Sequence, residues 1–212
     1  MIYCSPPLRE RNGFCILATV MVTDAAASDE QLMIAYRDGD AGAFDTLYRR
    51  HKGAVYRYML RQCRDAGVAD ELFQDVWMNL IRARASYTVQ AKFTTYIYKL
   101  AHNRLIDHYR KQGQASMVSF DDDSEEAPVV AEPVAAPRDE PERHLDIKQQ
   151  AAQLLELLGA LPEPQREAFV MQYEGGMSVE EIADATGVTR ETAKSRLRYA
   201  MAKIRQGLAT WQ

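Results

Sequence analysis

The stretch SVEEIADATGVTRETAKSRLRYAMAKIR, Ser178–Arg205, decides the fold of this chain. Ser178-x-x-Glu181 is a capping box: the serine hydroxyl and the glutamate side chain each satisfy a backbone N–H at a helix start. The helix it opens is short and closes at Gly187. Thr189 then caps a second helix whose apolar positions are Ala193, Leu197, Ala200, Met201, Ile204 and Leu208, at three- and four-residue steps. Ala183 is small enough to let the two helices approach closely. The spacing predicts a helix-turn-helix. Its second helix carries Arg190, Lys194, Arg196, Arg198, Lys203 and Arg205, and a helix of this kind fits the major groove with its N-terminal residues near base edges. The plainer alternative is a helical hairpin with a solvated charged face. Against it, the acids Glu180, Glu181 and Asp184 lie on the first helix and the bases on the second.

Upstream, Leu145 to Leu158 reads as a leucine-rich helix. Leu161-Pro162-Glu163-Pro164 stops it and restarts another, with Pro164 in the first turn, and Gly175-Gly176 ends that one. Near the other end of the chain, Ser28-x-x-Gln31 is a second capping box and opens a helix through about Arg37, broken by Asp38-Gly39-Asp40. A long helix follows with Phe44, Leu47, Tyr48, His51, Val55, Met59 and Cys63 on one face. Asp65 to Val68 read as a turn. The next helix buries Leu72, Phe73, Val76, Trp77, Leu80 and Ile81. Residues 86–92 read as a loop, and Phe93 to about Lys111 as a further helix with Phe93, Ile97, Leu100 and Ala101 inside. No convincing alternating run marks a strand, so the expected fold is all-α.

Charge divides the chain. The 212 residues are 47% hydrophobic and 26% charged, with a net charge of −4, which excludes wholesale disorder. Residues 29–114 hold 14 Lys and Arg against 10 Asp and Glu; residues 115–147 hold 2 against 10; residues 148–212 hold 8 against 8. The middle stretch also carries Pro128, Pro133, Pro137 and Pro141, a composition too poor in apolar surface to fold. The expected organisation is an N-terminal extension (1–28) without regular structure, a basic domain (29–114), an acidic linker (115–147) and a second domain (148–212). Arg9, Arg11 and the apolar run Phe14–Val22 faintly resemble a signal peptide, weakened by Glu10 and by the shortness of the run. Met21 is an alternative start. No run is long enough for a membrane span.

The basic domain holds a second nucleic-acid signal. Tyr87, Phe93, Tyr96, Tyr98 and Tyr109 interleave with Lys92, Lys99, Arg104, Arg110 and Lys111, and aromatic faces with interspersed cations suit unpaired bases and their phosphates. Phe93 reads as core; Tyr87 and Tyr96 read equally as core or as stacking platforms. The helix 70–84 turns Glu71, Gln74, Asp75 and Met78 outward, a face suited to a basic partner or simply to water.

The runs Asp70-Glu71-Leu72-Phe73-Gln74-Asp75-Val76-Trp77 and Phe93 to Asp107 resemble region 2 of bacterial sigma factors. Leu161-Pro162 to Glu167, with Ser178 to Arg198, resembles region 4. A direct link between the two is the layout of the extracytoplasmic-function (ECF) class. The resemblance implies that Asp70, Glu71, Gln74, Asp75 and Met78 grip core RNA polymerase. It implies that loop 86–92 captures a flipped base of the minus-ten element and that the helix from Phe93 holds the melted strand, through Tyr87, Lys92, Thr95, Tyr96, Lys99, His102 and Asn103. It places Arg190, Glu191, Thr192, Lys194, Ser195, Arg196 and Arg198 at the minus-thirty-five element. The family often has Trp where Tyr96 stands and Arg at Thr94 and His102, so strand melting is expected to use differently tuned contacts. The implied partners are core RNA polymerase, promoter DNA and an anti-sigma factor, in the cytoplasm and without membrane insertion.

Enzyme chemistry finds no footing. His51, His102, His108 and His144 form no HExxH. There is no Gly-rich phosphate loop, and Cys4, Cys15 and Cys63 form no CxxC. No catalytic residue, metal or cofactor is expected. Two rivals stay open at this stage: a stand-alone helix-turn-helix regulator, and a helical enzyme with a DNA-binding tail.

Overall fold

The computed structural model describes residues 27–63, 65–113 and 142–209, with the side chains of 142–150 outside that description. The expected N-terminal extension (save Ala27 and Ser28) and the expected linker up to residue 141 therefore lie outside the described residues. Every regular element described is helical: α1 (Asp29–Arg37), α2 (Ala41–Cys63), α3 (Ala66–Ala83), a 3-10 turn (Arg84–Ser86), α4 (Phe93–Lys111), α5 (Glu142–Ala160), α6 (Glu163–Gly175), α7 (Val179–Thr186) and α8 (Arg190–Ala209).

Ser28 caps α1 as expected, with both halves of the capping box in place. The turn expected over 65–68 is shorter than its sequence suggested, because Asp65 accepts from the Val68 N–H and starts α3 at Ala66. Likewise α5 begins at Glu142, inside the stretch expected to be linker. The helix-turn-helix closes as read: Gly187 takes the left-handed conformation, φ 70°, that an L side chain adopts only at a cost of about 1–2 kcal/mol, and the Thr189 hydroxyl accepts from the Thr192 N–H.

The first bundle, α1–α4, buries Leu47, Val55 and Met59 of α2 against Leu72, Val76, Trp77 and Leu80 of α3 and Phe93, Ile97 and Ala101 of α4. Phe44, Tyr48, Phe73 and Trp77 form an edge-on aromatic cluster beside it. The second bundle centres on α6, in which the six residues Arg166 to Met171 are all buried. A helix buried on every side has neighbours on every side. Here they are α8 and α7 of its own bundle, and α2 and α4 of the first. The two bundles thus pack directly on each other, an arrangement the sequence had not announced. In α8, Ala193, Leu197, Ala200 and Ile204 are buried, whereas Leu208, expected in the stripe, is 38% exposed. At Gly207 the backbone comes so close to Leu157 of α5 that a Cβ would meet its side chain at 2.3 Å.

Candidate nucleic-acid interface

The strand-holding candidate, α4, starts where three independent contacts fix it. Lys92 provides no side-chain cap; instead Glu30 of α1 accepts from the Phe93 N–H at 2.8 Å. That backbone hydrogen bond lowers the carboxyl pKa of Glu30, keeping an anion at the positive end of the helix. Arg37 donates to the Tyr87 carbonyl at 3.3 Å and anchors the preceding loop. Tyr87 is buried and packs edge-on against the half-buried Tyr96, ring centroids 5.2 Å apart. Val89, in the same loop, is 51% exposed.

Around α4 the expected strand contacts fall on two faces. Lys99 and Asn103 are exposed. Thr95 and His102, with Tyr98 between them on the same stripe, turn toward the second bundle and are covered by it. Thr95 and Tyr98 are buried, and the His102 side chain is 13% exposed. Lys92 reaches Glu181 of α7 at 2.8 Å.

The contact between bundles is built on carboxylates. Glu167 of α6, itself buried, accepts from the Tyr58 hydroxyl at 2.5 Å and sits 2.7 Å from His102 Nδ1, both through the same oxygen. Burial works against its charge, but the partnership with His102 outweighs it and holds the carboxyl below its ordinary pKa. Burial likewise opposes the charge on His102, and the hydrogen bond and charge of Glu167 nonetheless raise the imidazole pKa. Arg57 of α2 pairs with Glu174 at 2.6 Å. Arg166 donates to the Gln62 side chain and to the Leu161 carbonyl, each at 3.2 Å. The Gly175 backbone lies against the Tyr98 ring, 2.9 Å from where a Cβ would stand. None of Tyr58, Gln62 or Tyr98 was singled out as interior from the sequence. The available signal was a second stripe on α2, Val55, Tyr58, Met59 and Gln62, offset from the first.

On α8, Arg190, Glu191, Lys194 and Arg198 are exposed and Thr192, Ser195 and Arg196 half-buried. Arg190 pairs with Glu180 of α7 at 2.5 Å, both side chains more than half exposed. Arg196 is turned partly inward; burial lowers its pKa, and the charge of Glu167 acts in the other direction.

On α3, Asp70, Glu71, Gln74 and Met78 are exposed on one face. Asp75 differs from its expected free state: it forms an ion pair with Arg104 of α4 and is 38% exposed. Among the described residues no group of His, Cys, Asp and Glu could hold a metal ion, and no helix is long and apolar enough to cross a membrane.

Residues 47–115 match the family model of Sigma-70 region 2, and residues 151–204 that of Sigma-70, region 4, together more than half of the chain. The chain belongs to the ECF sigma factors. RNA polymerase sigma factor CarQ of Myxococcus xanthus is 28% identical over 174 residues, covering 82% of this chain and 94% of the relative. ECF RNA polymerase sigma factor SigK of Mycobacterium sp. (strain KMS) is 29% identical over 166 residues, covering 78% and 81%. Of solved structures, CnrH in complex with the cytosolic domain of CnrY shares the fold with a TM-score of 0.60 and 21% identity, over 87% of this chain and 99% of that one. The sigma factor RpoE in complex with the anti-sigma factor NepR from Bartonella quintana gives 0.56 and 20%, over 78% and 96%. In this sigma factor, region 2 comprises the bundle α1–α4 and region 4 the bundle α5–α8.

Proposed function

We infer that this sigma factor binds core RNA polymerase, directs it to particular promoters and promotes opening of the duplex. The observation that carries the reading is the joint presence of two nucleic-acid surfaces of different type on one chain. One is a capped helix-turn-helix with Lys194 and Arg198 exposed on its second helix. The other is the aromatic and basic surface of α4 with Lys99 and Asn103 outward. Duplex is read by the first and single strand is held by the second. A regulator acting alone needs the first only.

Region 2 is proposed to dock on polymerase through Asp70, Glu71, Gln74 and Met78, with Asp75 at the edge of that face. Tyr87, Lys92, Thr95, Tyr96, Lys99, His102 and Asn103 are proposed for the minus-ten element. Arg190, Glu191, Thr192, Lys194, Ser195, Arg196 and Arg198 are proposed for the minus-thirty-five element. The catalysis belongs to polymerase, and the site of action is the cytoplasm. An anti-sigma factor is proposed as the controlling partner, in keeping with the two solved neighbours, of which RpoE is named with one. The test is reconstitution: core polymerase with this chain should select and open a promoter that core alone ignores. A chain that binds an operator without core polymerase, and never associates with it, would instead be a stand-alone regulator.

A further inference from the structure

Four observations concern one surface. The stripe Thr95–Tyr98–His102 of α4 is covered by α6 and α7. Three carboxylates of region 4 meet three basic groups of region 2, one each: Glu167 with His102, Glu174 with Arg57, Glu181 with Lys92. Among the described residues, Thr95 Oγ1 and Tyr98 Oη are buried there with no hydrogen-bond partner. An interface that leaves hydroxyls unsatisfied forfeits about 1–3 kcal/mol for each, as suits a contact that must open. Lastly, the helix-turn-helix touches α4 through Lys92 and Glu181 at 2.8 Å, whereas two promoter elements some two helical turns apart are separated by roughly 70 Å. In this arrangement region 2 and region 4 cannot occupy both elements.

We propose that region 4 is an intramolecular stand-in for the DNA strand: Glu167, Glu174 and Glu181 take the cations of region 2 that phosphates would neutralise, so the free sigma factor rests closed, and single-stranded DNA competes with region 4 for α4. The proposal rests on the reading of α4 as the strand-holding helix. It gives the α6–α7 surface a second role, apart from carrying the helix-turn-helix. The exposed ion pairs weaken with salt, while the buried Glu167 pair keeps the register of the closed form.

Two substitutions open the contact without touching a residue assigned to DNA or polymerase. Gly175→Leu drives a side chain into the Tyr98 ring; Gly175 is the last residue of α6, where Leu is a better helix former than Gly. Glu174→Arg sets two cations against each other at Arg57. The double variant Arg57→Glu with Glu174→Arg restores the pair with its charges exchanged. Small-angle scattering of the full chain reads compactness, and fluorescence anisotropy at low salt reads binding of a short single-stranded oligonucleotide of randomised sequence.

Both single variants should expand, and the charge-exchanged chain should be as compact as wild type. A chain closed about nine-tenths of the time gains about tenfold in apparent affinity once opened, so the expanded variants should bind the probe about tenfold more tightly, and the exchanged chain as weakly as wild type. Unchanged scattering in both single variants overturns the closed state. Expansion with probe affinity equal to wild type overturns the competition while leaving α4 as the strand holder. Expansion with no probe binding by any chain removes the strand-holding reading itself, and the stand-in with it.

Discussion

Tyr58 and Glu167 meet at 2.5 Å across the boundary between the two bundles, phenol to carboxylate, with both residues buried. The carboxylate has no water to fall back on, so each donor matters. Hydrogen bonds to charged groups contribute about 1.5–3 kcal/mol. Tyr58→Phe keeps the ring, and its edge-on packing with Tyr98 at 5.2 Å, and removes only the donor. It should lower the stability of the full chain by about that amount in urea unfolding. Loss of much less would mean that His102 alone suffices to hold the Glu167 charge.

The same carboxylate makes closure depend on pH. The groups facing His102 are Glu167 and Glu163 of α6 and Arg196 of α8, with Tyr58 of α2 on the shared oxygen. The raised imidazole pKa stabilises the contact fully below its ordinary value of 6.5, and that contribution disappears as pH climbs through the raised value. The lowered carboxyl pKa of Glu167 contributes above its ordinary 4.5 and is lost as pH falls through the lowered value. Closure should therefore be tightest between about pH 4.5 and 6.5 and looser at alkaline pH. Scattering across that range checks it, and His102→Asn should abolish the alkaline arm.

For the polymerase-facing side, the ion pair of Asp75 with Arg104 changes which substitution is informative. Glu71→Arg with Gln74→Arg alters exposed positions only and should change stability by less than about 0.5 kcal/mol, yet abolish capture of core polymerase. Asp75→Arg would set a cation against Arg104 and should cost up to about 1 kcal/mol of folding as well. Circular dichroism and a core polymerase pull-down separate the two. Undiminished capture by the double variant would place the docking face elsewhere on the molecule.

On the promoter side, replacing Arg190 and Lys194 with Ala should weaken promoter binding of the holoenzyme while leaving polymerase capture intact. Each lost phosphate contact should flatten the salt dependence by a slope of about 0.9. Since Arg190 is engaged with Glu180 in the free chain, Lys194→Ala alone should cost more affinity than Arg190→Ala alone. Titration of labelled promoter at several salt concentrations decides this, and equal affinity of the double variant and wild type would exclude α8 as the reader.

Much of this molecule was legible in its residues. The capping boxes at Ser28 and Ser178, the breaks at Gly175-Gly176 and Gly187, and the apolar steps of α2, α3 and α8 are local signals, and each element formed where they stand. Asp65 was the local exception, since an aspartate before a helix serves equally as a turn residue and as a cap. The packing of region 4 on region 2 was not legible. Tyr58, Gln62, Tyr98 and His102 are amphipathic side chains that suit a wet surface as well as a satisfied interior. Glu167 in isolation reads as a solvated charge. Only the fold brings its oxygen to the phenol and the imidazole together, 109 and 65 residues away in sequence.

The stripe Thr95, Tyr98 and His102 has a further consequence, in heredity rather than energy. A substitution there that suited a new promoter would at once change the fit against α6 and α7, so resting tightness and sequence preference would pass on as one trait. Such a lineage could retarget region 2 only with a matching change at Glu167 or Gly175, or by moving its discrimination to the loop around Val89, which makes no such compromise. Divergence of promoter choice among descendants of this chain should therefore begin in that loop, with the inner face of α4 changing late and in step with region 4.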